Sequence, residues 1–319
     1  MFNSFRMKIA FFSEGNYTGK VSRSVAGRTD QAWMAALDAT HHPLFSTPAS
    51  RYDVGIVIPP KNYDGQFTDI SEHHRRHCDR LCMMQEGDAR LYWQDRSIDQ
   101  QVNYIYFLAE VDIIFCHNEI DRKYFIGLVP DKDVRILPTV MIEDAIPMQR
   151  IRGPVDRSGV MVNGNWCSWY GAADSFFIAQ EFKQSIAAPI MGRMDEGEMR
   201  ISEIEHLPYT NWADWMANFS ARKYAVNLMR TIAAASFSLN AAWLSIPCVG
   251  WDVQDTQRIC FPELSVPMGD MQSARKIAKH LATNDLFYEH CSAYAKKMAI
   301  DIYSEERFRS NFYESFQGQ

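Results

Sequence analysis

No apolar run in the sequence approaches the ~20 residues that span a bilayer, and Met1–Arg6 is too short and polar for a secretory signal, so a cytoplasmic protein is expected. Positive charge is not in excess. The 33 Lys and Arg stand against 39 Asp and Glu, a formal net charge of −6, which gives no global attraction to nucleic acid or an anionic membrane. A polyanionic partner would therefore need a local basic patch. The seven cysteines (Cys78, Cys82, Cys116, Cys167, Cys248, Cys260 and Cys291) are odd in number and scattered, which fits free thiols in a reducing compartment rather than a disulfide framework. Internal repeats, low-complexity tracts, a Gly-x-x-x-x-Gly-Lys-Ser/Thr phosphate loop and a Gly-x-Gly-x-x-Gly fingerprint are all missing. His74, Cys78 and Cys82 recur at i, i+4 and i+8, but three ligands on one helix without a second cluster make a poor tetrahedral site. No metal is expected.

What is present is the pattern of two α/β domains. A chain of 319 residues accommodates two domains of about 150 each. The most informative stretch is Ala225–Asp252, AVNLMRTIAAASFSLNAAWLSIPCVGWD. Tyr224–Met229 is a β-like run, Thr231–Leu244 a helix of small residues and Ile246–Gly250 a second apolar run. In such a βαβ unit the helix N-terminus lies beside the carboxyl ends of parallel strands, where free N–H groups and the helix dipole attract phosphate.

Earlier in the chain, Met7–Ser13 is a strand followed by the loop Glu14–Val21 and a helix reaching about Ala39. Buried strands follow at Tyr52–Pro60, Arg80–Gly87 and Val111–Glu119, separated by helices near Thr68–Asp79 and Ile98–Ala109. Ile142–Ser158, with Pro147, Gly153 and Pro154, has no periodicity and forms a linker. The pattern then restarts with the strand Gly159–Asn163, the loop Gly164–Gly171 and the helix Ala172–Gln184.

Asn240-Ala241-x-x-x-Ser245-Ile246-Pro247-Cys248-Val249 resembles the Glu-Ala-x-x-x-Gly-x-Pro-Val-Val signature in the donor domain of GT-B nucleotide-sugar glycosyltransferases, especially the retaining family four. Ala109–Cys116, with Asn118 and then Val134–Pro138, is similar to the end of the GT-B acceptor domain. The resemblance implies two Rossmann-like domains facing a cleft: an acceptor domain at 1–143, a linker at 144–158, a donor domain at 159–301, and a C-terminal helix at 302–319 crossing back. It departs from the family at Asn240 and Ile232, where carboxylates are usual, and at Asn165 and Tyr170, where Arg and Lys are usual. An amide at Asn240 still bonds ribose hydroxyls. Arg193 and Arg230 are placed to neutralise a pyrophosphate instead. The implied donor site is Gly164, Asn165, Arg193, Tyr209, Arg230, Ser236, Ser238 and Asn240, and the implied acceptor or sugar site is Gly15, Asn16, Gly19 and His117.

The activity expected from this resemblance is transfer of a sugar from a nucleotide diphosphate sugar to an acceptor hydroxyl, with no obligatory metal or other cofactor. An inverting transfer needs a carboxylate or histidine to take the acceptor's proton, and Glu86 and Asp88, in Gln85-Glu86-Gly87-Asp88 at a central strand's end, are the candidates. The acceptor is a glycan, a small molecule or DNA. The local basic run Ser71–Arg80 permits a phage-type DNA glycosyltransferase, which the net acidity disfavours. A non-catalytic GT-B-like protein that binds a sugar or a partner is the alternative from another class.

Overall fold

The computed structural model describes residues 7–61, 63–88, 96–162, 166, 170–189, 201–208 and 210–317. Contacts divide the chain into two units, one comprising Met1–Ser22, Arg28–Pro138 and Phe308–Gln319 and the other Arg23–Gly27 and Thr139–Arg307.

The first unit is a seven-stranded sheet of β1 (Ile9–Ser13), β2 (Gly19–Lys20), β3 (Thr40–Pro43), β4 (Tyr52–Val57), β5 (Cys78–Met84), β6 (Ile113–Cys116) and β7 (Asp133–Ile136), in the order β2-β3-β1-β4-β5-β6-β7. All neighbours are parallel except β2, which runs antiparallel to β3. Every residue of β1 and β6 is buried, as befits strands covered on both faces by helices. Those helices are α1 (Thr29–Ala36), α2 (Phe67–Arg75), α3 (Ile98–Glu110) and α4 (Glu119–Leu128). Without the short β2, the parallel strands run second-first-third-fourth-fifth-sixth, which puts the topological switch point between β1 and β4.

The second unit holds a fully parallel sheet of β8 (Val160–Val162), β9 (Ile186–Pro189), β10 (Ile204–Leu207), β11 (Tyr224–Asn227), β12 (Cys248–Trp251) and β13 (Ser265–Val266), ordered β10-β9-β8-β11-β12-β13. Its helices are α5 (Ala172–Ala179), α6 (Trp212–Ser220), α7 (Ser236–Trp243), α8 (Asp255–Cys260), α9 (Met271–Thr283) and α10 (Asp285–Tyr303). The strand order is that of a dinucleotide-binding sheet, third-second-first-fourth-fifth-sixth, with its switch point between β8 and β11. Side chains at the N-caps start three of these helices: Asn211 accepts from the Asp214 N–H at 2.9 Å, Asp270 from Ser273 at 2.9 Å and Asn284 from Phe287 at 3.0 Å. A last helix, α11 (Glu305–Glu314), places Phe308 against Trp33 and Phe312 against Phe115 in the first unit.

Three expectations change. The helix expected from Thr231 begins only at Ser236, because Ala235 sits in the left-handed region at φ +58° and keeps 231–235 as a loop. The basic run Ser71–Arg80 is not one helical face. Helix α2 ends at Arg75, His74 is fully buried against Phe12, and Cys78 and Cys82 lie on strand β5. Strand β3, Thr-His-His-Pro, was not expected at all, since two histidines and a proline carry no apolar run.

Candidate functional site

At the carboxyl edge of the first sheet, residues from four elements converge. Ser13 ends β1, and its hydroxyl lies 2.9 Å from His41 Nε2. His41 is buried on β3, and its Nδ1 donates to the Tyr17 carbonyl at 2.9 Å, which leaves Nε2 to accept from Ser13. The Tyr17 ring stacks on the imidazole with centroids 4.0 Å apart. Burial lowers the His41 pKa, so the ring is neutral at pH 7. Gly15 and Gly19 both hold positive φ, +139° and +137°, and bring this loop back over β3, where Gly19 pairs with His41. A Cβ on Gly15 would stand 3.2 Å from His41 Cε1.

Beside this clamp lies a charged trio. Arg28, just before α1, donates to Asp30 at 3.2 Å and to Glu86 at 2.8 Å. Burial, and then the like charge of Glu86, raise the Asp30 carboxyl above its ordinary range. Asp88, also predicted, is buried two residues on. His117, at the end of β6, is wholly buried. Its Nδ1 donates to the Leu137 carbonyl at 3.0 Å, Nε2 has no partner among the described residues, the Trp33 ring meets it edge-on, and burial lowers its pKa to about 4. Asn16 is exposed in the Gly15–Gly19 loop.

The second sheet's edge contains no such charge cluster among the described residues. Here the loop 228–235 is tethered by neutral groups. The Leu228 N–H donates to Ser175 Oγ at 3.0 Å, Gln254 Nε2 to the Thr231 carbonyl at 2.9 Å, and Thr256 Oγ1 to the Ala234 carbonyl at 2.9 Å. Beneath it, Asn227 Nδ2 reaches Ser238 Oγ at 3.1 Å and Gln254 Oε1 at 3.3 Å, and Ser238 donates to Gln257 Oε1 at 2.7 Å. Gly171 makes the approach possible. At φ +71° its α-carbon faces the Leu228 carbonyl so closely that a Cβ would lie 2.1 Å from that oxygen.

Of the predicted donor residues, Arg230 projects from this loop and pairs with Asp174 at 2.6 Å, its side chain 59% exposed. Ser236 is the first residue of α7. Ser238 faces into the buried network. Asn240, with its amide oriented to satisfy both neighbours, accepts from Trp215 Nε1 at 2.9 Å and donates to the Ser236 carbonyl at 3.1 Å. Gly164, Asn165, Arg193 and Tyr209 lie outside the described residues. Sequence reasoning missed Arg28, Asp30 and His41. An acid in the first turn of an Ala-rich helix is a readable start signal that pointed to Asp30, but His41 depended on recognising β3. It also missed Asn227, Gln254 and Gln257, which form no contiguous motif.

Among the described residues no group of three or more His, Cys, Asp or Glu side chains could hold a metal ion, and no helix is long and apolar enough to cross a membrane.

No family model matches the chain, and no curated protein matches it. Solved structures do match. Sucrose-phosphate synthase from Thermosynechococcus elongatus superposes with a TM-score of 0.70 at 8% identity, over 97% of this chain and 98% of that one. The Anabaena protein HepE in complex with UDP-glucose superposes with a TM-score of 0.69 at 11% identity, over 98% and 100%. An α-glucosyltransferase in complex with UDP and a 13-mer DNA containing an HMU base gives 0.65 at 11% identity, over 98% and 99%. With two doubly wound sheets, parallel but for β2, and this likeness along its whole length, the chain has the GT-B fold of nucleotide-sugar glycosyltransferases.

Proposed function

We propose that the protein is a glycosyltransferase that moves a sugar from a nucleoside diphosphate sugar to an acceptor hydroxyl. The observation that carries this reading is the coincidence of a GT-B fold along the chain with a second-unit switch point in which Gly171 lets the start of α5 pack closely on Leu228, in the loop before α7. Proteins of the same fold hold UDP and UDP-glucose.

In this reading the donor lies at the β8/β11 edge. Arg230 and the N–H groups at the start of α7 meet the diphosphate, and Arg193, Gly164, Asn165 and Tyr209 complete the pocket. The amide of Asn240 holds the loop's geometry through Trp215 and supplies no charge. The acceptor lies at the carboxyl edge of the first sheet, against Gly15, Asn16, Gly19 and His117, with Glu86 or Asp88 as the carboxylate that takes its proton. Helix N-termini and arginine supply the positive potential, so the reaction runs without a metal. The buried thiols Cys78, Cys82, Cys116, Cys248, Cys260 and Cys291 suit a reducing cytoplasm.

The test is a thermal-shift and hydrolysis screen with UDP-, GDP-, ADP-, CMP- and dTDP-sugars, since a ligand that binds only the folded state raises its stability. One nucleotide sugar is expected to raise Tm and to be hydrolysed slowly. Silence with all five, in chain whose fold is verified, assigns the protein to the non-catalytic alternative, and a response to EDTA overturns metal independence.

A further inference from the structure

The polar side chains beneath the second unit's loop are used on the loop rather than on one another. Gln254, the residue before α8, and Thr256, in the first turn of that helix, are both buried. Gln254 Nε2 donates to the Thr231 carbonyl and Thr256 Oγ1 to the Ala234 carbonyl, each at 2.9 Å. Beside them Asn227 Oδ1 is buried and has no partner among the described residues. An unpaired buried acceptor is destabilising, yet Gln254 stands within reach of the same side chain, its Oε1 accepting from Asn227 Nδ2 at 3.3 Å. A network serving stability alone would saturate its own acceptors before reaching for loop carbonyls.

What the two bonds fix is the direction of two peptides. The described chain has no cis peptide bond, so each peptide N–H points opposite to its own C=O. With the Ala234 carbonyl turned onto Thr256, the Ala235 N–H points away from the network, and the Thr231 carbonyl on Gln254 does the same for the Ile232 N–H. Ala235 then enters α7 from φ +58°, a conformation that alanine adopts only where its surroundings impose it, and the Thr256 bond lies one peptide earlier. As the N-cap residue, alanine has no side chain to accept from the helix N–H groups, and the first turn of α7 holds no acid. The direction of these peptides therefore decides what the start of α7 offers an anion.

We propose that Gln254 and Thr256 are positioning residues for the donor. By holding the Thr231 and Ala234 carbonyls beneath the loop, they keep two carbonyl dipoles away from the diphosphate and leave the start of α7 open to it. The inference rests on the glycosyltransferase reading and adds the side chains that set the shape of its phosphate site. Neither side chain touches the nucleotide.

Isothermal titration on the full chain tests this with the nucleoside diphosphate of the base that the screen above selects and with its nucleoside, UDP and uridine for uracil. Thr256→Val keeps the shape of the side chain and removes the hydroxyl, and Gln254→Met removes the amide. Each is expected to weaken the diphosphate about tenfold and to leave the nucleoside within about twofold of wild type, whereas Thr256→Ser, which keeps the hydroxyl, returns the diphosphate to within about twofold. Should Gln254→Met not fold, the two Thr256 variants decide. Equal loss for diphosphate and nucleoside overturns the proposal, as does an unchanged diphosphate affinity in Thr256→Val or the same loss in Thr256→Ser as in Thr256→Val. Failure of wild-type protein to bind any nucleotide sugar in the screen above is a different result. It overturns the glycosyltransferase reading itself.

Discussion

The two sheets solve the same geometric problem with opposite chemistry. At the carboxyl edge of β1 and β5 the first unit assembles ionisable groups, Arg28, Asp30, Glu86 and His41, with His117 buried nearby. At the edge of β11 and β12 the second assembles amides and hydroxyls, Asn227, Ser238, Gln254, Gln257 and Thr256, none of which titrates. A charged edge can discriminate among acceptors and respond to pH. A neutral one holds a loop in one shape at any pH. The first edge is therefore built on charge and the second on backbone closeness.

Acid should separate the two most strongly. Burial lowers His74 to about 3 and His117 to about 4, both in the first unit, from an ordinary 6.5. The unfolded chain binds those protons near pH 6.5 and the folded chain does not, so stability is full above that pH and falls until the folded values are reached. The loss is on the order of 3 kcal/mol from His117 alone by pH 4. Hydrogen exchange, labelled at one fixed pH after incubation at pH 7 and pH 5, is expected to show protection lost in α2 and β6 and kept in β11 and α7. Parallel loss in both units would remove the contrast.

Glycine substitutions test closeness. Gly171→Ala places a Cβ 2.1 Å from the Leu228 carbonyl at φ +71°, and urea unfolding should show a cost of about 3 kcal/mol together with weaker UDP binding. Gly19→Ala, at φ +137° in the first unit with no atom within 4 Å, should cost about 1 kcal/mol. Equal costs would mean that the second unit's loop can move aside, and that its closeness is not what shapes the site.

The fold was legible wherever apolar runs were long enough to mark strands: β1, β4, β5, β6 and β11 all fall where the sequence indicates. The site was legible in part. Glu86 follows β5 and Arg230 lies in the loop after β11, both beyond strands that periodicity located, but β3 hid behind polar residues, and with it His41. The helix start at Ser236 was obscured because Ala235 adopts φ +58°, a conformation that no local preference of alanine announces. Asn227, Ser238, Gln254 and Gln257 span 31 positions, inclusive of both ends, and meet only through the crossover between β11 and β12, so no spacing rule could connect them.

The smallest effect expected on stability is the one that bears most directly on the donor. Arg230 pairs with Asp174 at 2.6 Å, but its side chain is 59% exposed, and an exposed pair contributes about 0.5 kcal/mol or less. Arg230→Ala should therefore leave the urea midpoint almost unmoved. If the guanidinium also meets the diphosphate, the same substitution should weaken UDP binding about tenfold, because a charge-assisted bond to phosphate is worth roughly 1.5–3 kcal/mol. Isothermal titration with UDP and with uridine separates the outcomes. Loss for UDP but not for uridine locates Arg230 at the phosphates, whereas unchanged affinity for both returns it to the surface and leaves α7 and the residues around Arg193 to bind the anion.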